Sequence, residues 1–192
     1  TYTGNSGYAE FKNLQNFLQS TYNYNAGSFS EFSDDFEVNR INLKLDWNPG
    51  SRDQFMISYR LNQAWRTAPR FLTGIRSIAF ENTGFKLPAI TNTGSFEWKH
   101  SFKNNFQNRL LITYTHQKDD RTWLGSAFPR VTVIDGAGTL EFGSDAPSSL
   151  SLFKASEWSL LNIFTLEKKK SVISFGLDLN QSSIDDVNIN SF

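Results

Sequence analysis

The chain has 192 residues, with 19 Lys and Arg against 19 Asp and Glu and a formal net charge of zero, so no global basic field draws it to nucleic acid or an anionic surface. It has no Cys, which excludes a disulfide framework and thiolate metal sites, and no apolar run near the about 20 residues of a spanning helix. Hydrophobic residues make up 39 % while aromatics reach 15 %, with 18 Phe, 6 Tyr and 5 Trp, a composition with little aliphatic core and many rings.

Residues 1–7 have neither a charged start nor an apolar stretch, so they do not read as a signal peptide. The chain reads as a mature product or an internal segment of a longer protein. Residues 9–22 predict an amphipathic helix, with Phe11, Leu14, Phe17 or Leu18, and Thr21 or Tyr22 on one stripe and Asn25 and Gly27 as stop signals. Without a basic face it reads as a loop helix packed on neighbouring loops, not one lying in a membrane surface. Residues 28–37 are aromatic and acidic and lead into the first strand.

From Arg40 the sequence alternates with period two. Ile41, Leu43, Leu45 and Trp47 share one parity; Arg40, Asn42, Lys44 and Asp46 share the other. After the turn residues 48–53, Phe55, Ile57, Tyr59 and Leu61 alternate with Ser58, Arg60 and Asn62, with Met56 as an exception. Phe96, Trp98 and Phe102 oppose Ser95, Glu97, Lys99 and Ser101. Past the turn 103–105, Phe106, Leu110, Ile112 and Tyr114 oppose Gln107, Arg109, Thr113 and Thr115, with Asn108 and Leu111 out of phase. Trp158, Leu160, Phe164 and Leu166 form a less regular run, because Leu161 and Ile163 carry the other parity. After 167–171, Ile173, Phe175, Leu177 and Leu179 oppose Ser174, Gly176, Asp178 and Asn180. The six strands are expected at about 39–47, 54–65, 93–102, 106–116, 156–166 and 172–180.

They pair as three hairpins with short polar turns, separated by connections of about 25 to 40 residues, far above the usual 4 to 6. Short turns on one side and long loops on the other are the arrangement of outer-membrane barrels, and a strand of about 10 residues suits a tilted span. The expected fold is all-β: an arc of about six antiparallel strands from a large transmembrane barrel, with residues 1–37 as an extracellular loop region carrying the helix and 38–192 as partial barrel. Six strands cannot close a barrel, and open edges in lipid leave backbone groups unpaired at several kcal/mol each. Trp47, Phe55, Phe102, Phe106 and Phe164 near the short-turn ends, with Trp65, Tyr114 and Trp158 near the long-loop ends, are the expected aromatic girdles. Arg40, Lys44, Asp46, Arg60, Glu97, Lys99, Arg109 and Asp178 are expected to face a hydrated lumen. The competing reading is a soluble β-sandwich, whose strands alternate in the same way and which would bind carbohydrate through exposed Trp and Tyr.

Several stretches resemble TonB-dependent outer-membrane receptors, especially the Oar-like group of Bacteroidetes. They are residues 41–48 with 55–60, residues 11–29 with the helix and Thr21-Tyr22-Asn23-Tyr24, Phe128-Pro129-Arg130-Val131-Thr132-Val133 with Leu140-Glu141-Phe142-Gly143, and residues 170–180. The resemblance covers most of the chain and rests on the order of the pieces. It implies a barrel of about 22 strands around a plug, in the outer membrane of a Gram-negative bacterium, taking up a ligand when TonB pulls on the plug. The implied partners are outer-membrane lipid, TonB through a plug domain that this sequence lacks, surface lipoproteins or other envelope proteins, and an unidentified permeant; nucleic acid is not among them. A passive or scaffolding outer-membrane barrel in an envelope complex is the alternative within the same class. Phe192 reads as a loop residue and not a terminal barrel signal, because Asp186, Asn188 and Asn190 occupy the alternate positions.

No catalytic constellation is legible, so an enzyme is not expected, nor any cofactor or metal. His100 and His116 share the apolar parity without ligand spacing, and residues 136–139 read as a hairpin turn, not a phosphate loop. The acid pairs Asp34-Asp35, Asp119-Asp120 and Asp185-Asp186 are expected as solvated charges in the long connections. Lys168, Lys169 and Lys170 read as a soluble turn.

Overall fold

The computed structural model describes residues 2–30, 34–68, 76–103, 105–145 and 151–187. In chain order its elements are α1 (Tyr8–Tyr22), β1 (Phe36–Trp47), β2 (Asp53–Ala68), β3 (Ser77–Ala79), a 3₁₀ turn (Glu81–Thr83), β4 (Phe85–Ser101), β5 (Phe106–Asp120), β6 (Thr122–Trp123), β7 (Val131–Asp135), β8 (Gly138–Phe142), β9 (Leu152–Lys168) and β10 (Ser171–Val187). The long strands form one antiparallel meander, β1-β2-β4-β5-β9-β10, with the short β6 added to the far end of β4. β1 and β10 are the two edges, and both are solvent-exposed along their whole length.

All six long strands exceed the expected bounds. They run 12 to 17 residues, because past the regular alternation the chain stays extended through stretches such as Phe85 to Thr91 of β4 and Leu152 to Ala155 of β9, where apolar and polar residues are mixed on both faces. Cross-strand pairing of the backbone needs no hydrophobic alternation, so these ends carry no periodic signal. This corrects the acid pairs: Asp119 and Asp120 close β5, and Asp185 and Asp186 lie in β10 opposite Lys154 and Phe153. Asn104, Asn188, Asn190 and Phe192 lie outside the described residues.

The register fixes an inclination. Following the hydrogen bonds from Trp47 leads through Phe55, Trp98, Leu110 and Asn162 to Leu177. Trp47 sits at its hairpin turn, whereas Leu177 lies about six residues past Ser171, where β10 leaves its own turn. About six residues climb about 20 Å while five strand spacings cover about 24 Å. The line of short turns is therefore inclined by about 40° to the hydrogen-bonding direction.

The buried core lies elsewhere. Phe11, Leu18, Tyr24, Ala26, Phe80, Leu140 and Phe142 form it, with Tyr2, Leu14, Phe29, Ile78, Phe128 and Val131 packed around. All come from the N-terminal segment and the two long connections; none belongs to a long strand. Helix α1 lays Phe11 and Leu18 against a small sheet in which β8 pairs antiparallel with β7 and parallel with β3. The long connections are thus a folded cap and not loops, and residues 2–30 belong to the same body. The helix ends at Tyr22, as expected, ahead of Asn25 and Gly27: Asn23 takes a left-handed φ of 51° and its amide bonds back into the last turn, the usual geometry of a helix terminus. At its start Glu10 accepts a hydrogen bond from the Gly7 amide at 2.9 Å, half of a capping box. Gly143, at φ +103°, is required where β8 ends, since a Cβ there would run into the Pro129 carbonyl.

Candidate functional site

The pairing of all five strand interfaces sorts the side chains of the long sheet onto two faces. On one face, alternate positions carry Ile41 to Trp47, Phe55 to Leu61, Phe96 and Trp98, Leu110 to Tyr114, Trp158 to Leu166 and Ile173 to Leu179. Trp47, Phe55, Trp65, Phe106, Tyr114, Trp158 and Phe164 all share it, and Phe102 follows its parity just past β4. The eight charged residues Arg40, Lys44, Asp46, Arg60, Glu97, Lys99, Arg109 and Asp178 all share the other.

The apolar face is uncovered. Ile41, Leu43, Leu45 and Trp47 at one edge and Ile173, Phe175, Leu177 and Leu179 at the other expose between 49 and 65 % of their surface. A band six strands wide and 20 to 25 Å along the strands covers about 600 to 700 Å² even in flat projection. The largest apolar patch of a typical soluble monomer is about 300 to 600 Å². Rings cross the band near the short turns as a nearly continuous series. Trp47 stacks on Phe55, Phe55 on Trp98, and the contacts continue through His100, Phe102, Phe106 and Phe164 to Phe175. Nearer the long connections Tyr114 packs on Trp158, centroids 4.5 Å apart.

Polar atoms within this face are matched to each other. Asn108, which breaks the alternation of β5 and is buried, donates to the Oδ1 of Asn162 at 2.6 Å, and Asn162 stands where β9 has its own gap. The Trp98 indole N–H donates to Asp53 Oδ1 at 3.0 Å, and His100 Nδ1 lies 2.6 Å from the same oxygen. The Tyr59 hydroxyl donates to Asn92 at 2.7 Å, and His116 Nδ1 lies 2.9 Å from the Ser156 hydroxyl. A polar group taken out of water without a partner costs about 2–7 kcal/mol, so internal pairing is what lets such residues sit among apolar neighbours. Sequence alone missed the Asn108–Asn162 and Asp53–His100–Trp98 groups. Two Asn gaps of like parity on different strands were the available signal, and only the register shows that they meet.

The polar face is charged unevenly. On β1 and β2 it carries Arg40, Lys44, Arg60 and Arg66 against Asp46; on β9 and β10 it carries Glu157, Glu167, Asp178 and Asp186 with no Lys or Arg. Between these flanks Glu97 is nearly buried, pairs with Arg109 and lies 3.4 Å from Lys99. Lys44 bridges to Asp46 along β1 at 2.8 Å. The hydroxyls of Ser58 and Ser95, 2.6 Å apart, fill the next row with small groups. The apolar exceptions Met56, Leu111, Leu161 and Ile163 also lie on this face. An open concavity of about 820 Å³ over β1 and β2 is lined by Arg40, Lys44 and Arg60 with Asn42, Ser58 and Asn62, and equally by apolar and aromatic residues such as Phe36, Leu43, Met56 and Tyr59.

The cap is tied down by polar contacts at both ends. Asp135 Oδ2 accepts from the Ser6 amide and the Tyr2 hydroxyl, each at 3.0 Å. The Ser6 amide first, and then the Tyr2 hydroxyl, hold the Asp135 carboxyl below the usual carboxylate range, while burial followed by the Asp135 contact pushes Tyr2 up to about 12. Burial likewise raises Tyr24 to about 12, with the Gly143 amide acting in the opposite sense. Arg121 lies 3.4 Å over the Phe85 ring and reaches the buried Asp145 at 2.7 Å, joining the cap to the end of β4. At the same end Asp34 is paired with Arg66 at 3.0 Å, which lowers its pKa. No group of three or more His, Asp or Glu that could hold a metal occurs among the described residues.

No family model, curated protein or solved structure matches the chain. What it does must be argued from the two faces of the sheet.

Proposed function

We propose that the chain is an arc of a large outer-membrane β-barrel, with its apolar face toward acyl chains and its charged face toward a water-filled bore. The observation that carries this reading is an apolar face that is exposed on the edge strands β1 and β10, half-buried on the strands between them, and without a second layer over it among the described residues. A soluble sandwich buries such a face against another sheet. Here the other, smaller sheet packs on α1 instead, so the sandwich has no facing layer. The inclination of about 40° lies within the about 35–45° tilt of membrane barrels. The long bare edges agree as well: an arc leaves both outer strands ready to continue the hydrogen-bonded wall, whereas a free-standing sheet protects its edges. In this arrangement the far strand ends rise beyond the bilayer and the cap sits over them on the outer side.

The finer reading is a TonB-dependent transporter that moves a ligand through a plugged lumen, and it draws its support from the sequence resemblance. The eight charged residues would then meet the plug or the permeant, and the rings at the two ends of the strands would sit at the two interfaces. The test of the barrel is purification of the chain with and without detergent, followed by light scattering. The expected result is a species that requires detergent and carries a bound micelle. A stable, detergent-free monomer would overturn it.

A further inference from the structure

We propose that the concavity over β1 and β2 is a binding site for a small polyanion, a solute carrying two or more phosphate or carboxylate groups held by Arg40, Arg60 and Lys44. The register supplies the geometry. Arg60 lies opposite Asn42, midway between Arg40 and Lys44, so the three Cα atoms form a triangle with two sides of about 8 Å and one of about 13 Å. Long cationic side chains at those spacings can converge on one multiply charged ligand.

Two of the three cations, Arg40 and Arg60, are not neutralised where they stand. Arg60 donates to an uncharged partner, Asn42, at 3.1 Å, and Arg40 has no carboxylate partner among the described residues. Lys44 is bridged to Asp46, yet no carboxylate lines the concavity. The acidic flank on β9 and β10 is about 14 to 24 Å away, three to five strand spacings. That exceeds the screening length of about 8 Å at physiological salt, so the flank leaves the positive potential over β1 and β2 in place. Asn42, Asn62 and Ser58 supply neutral hydrogen-bonding groups among the charges, as an oxyanion ligand requires. About 820 Å³ lies within the about 300–1,000 Å³ of small-molecule sites.

The site rests on the barrel reading only for where the ligand is met, since the triangle belongs to the charged face whatever covers the other one. The test is calorimetric titration of the folded chain with inorganic tripolyphosphate, with citrate as a second probe, at about 150 mM salt, where the screening length is about 8 Å. Saturable binding at one site is expected. Arg40→Gln and Arg60→Gln are each expected to weaken it about tenfold, with Arg40→Lys restoring most of the loss. Lys154→Gln, which removes one positive charge from the opposite face, is expected to leave the affinity unchanged. Far-UV circular dichroism of each variant separates lost binding from lost folding. Absence of saturable binding, or an equal loss in Lys154→Gln, overturns the proposal, and so does binding of an acidic peptide in place of tripolyphosphate. A chain that binds tripolyphosphate but needs no detergent would overturn the barrel and leave this site standing.

Discussion

Leu177→Arg separates a lipid-facing sheet from a water-facing one. Leu177 lies in the middle of the apolar series of β10, is 54 % exposed, and stands about six residues from the turn. At about 3.3 Å per residue and an inclination of about 40°, it sits about 15 Å above the line of turns, near the middle of an apolar band about 25 Å tall. A guanidinium there is expected to cost about 2–4 kcal/mol in a bilayer. On a water-facing surface the same change falls within about 0.5 kcal/mol. Asn180→Arg is the matched control, because Asn180 is on the same strand, on the charged face, and bonded to Asp178 at 3.1 Å. Urea unfolding of the chain in detergent micelles, followed by tryptophan fluorescence, measures both. With a slope of about 2 kcal/mol per molar urea, Leu177→Arg is expected to lower the midpoint by about 1–2 M and Asn180→Arg hardly at all. Equal midpoints for the two variants would refute the assignment of faces.

Three further outcomes follow from the same contacts. Asn108→Ala leaves Asn162 without its partner on the apolar face and is expected to destabilise by about 1–3 kcal/mol, whereas Asn108→Leu combined with Asn162→Leu should recover most of that loss in detergent; thermal melting compares them. The Asp135 carboxyl titrates below its unfolded value, so its contribution is complete above the unfolded pKa of about 4 and is lost as the pH falls through the folded one. The protection of the amides of residues 2–6, taken relative to the intrinsic exchange rate at each pH, should therefore fall on acidification, and Asp135→Asn should leave it low at every pH. Leu18→Ala, in the cap core, is expected to cost about 2–5 kcal/mol and to remove the helical signal in circular dichroism while the sheet signal persists, because no long strand contributes to that core.

How far the sequence could be read depended on whether a face or a contact was in question. Period-two alternation identified the six long strands, the three short turns and the parity of every charged and aromatic residue named for the site, because a pleated strand sends neighbours to opposite faces. It stopped at the far strand ends, where the alternation is lost, through mixed residues on both parities in β4 and β9 and hydrophilic ones in β5, and nothing separates a strand from a loop. It also passed over the cap: β3, β7 and β8 have at most five residues each, too few for a periodic signal, and β3 reaches its parallel neighbour β8 only after the chain has built β4 to β7.

The sequence by itself determined which residues share a face, since that follows from the local geometry of an extended chain. Register, by contrast, is a relation between strands distant in sequence, and only the tertiary structure decided it. From register came the inclination of the turns, the meeting of Asn108 with Asn162, and the placement of Arg60 between Arg40 and Lys44. Only the assembled molecule shows that the buried core belongs wholly to the cap, leaving the long sheet with a bare apolar face and two open edges.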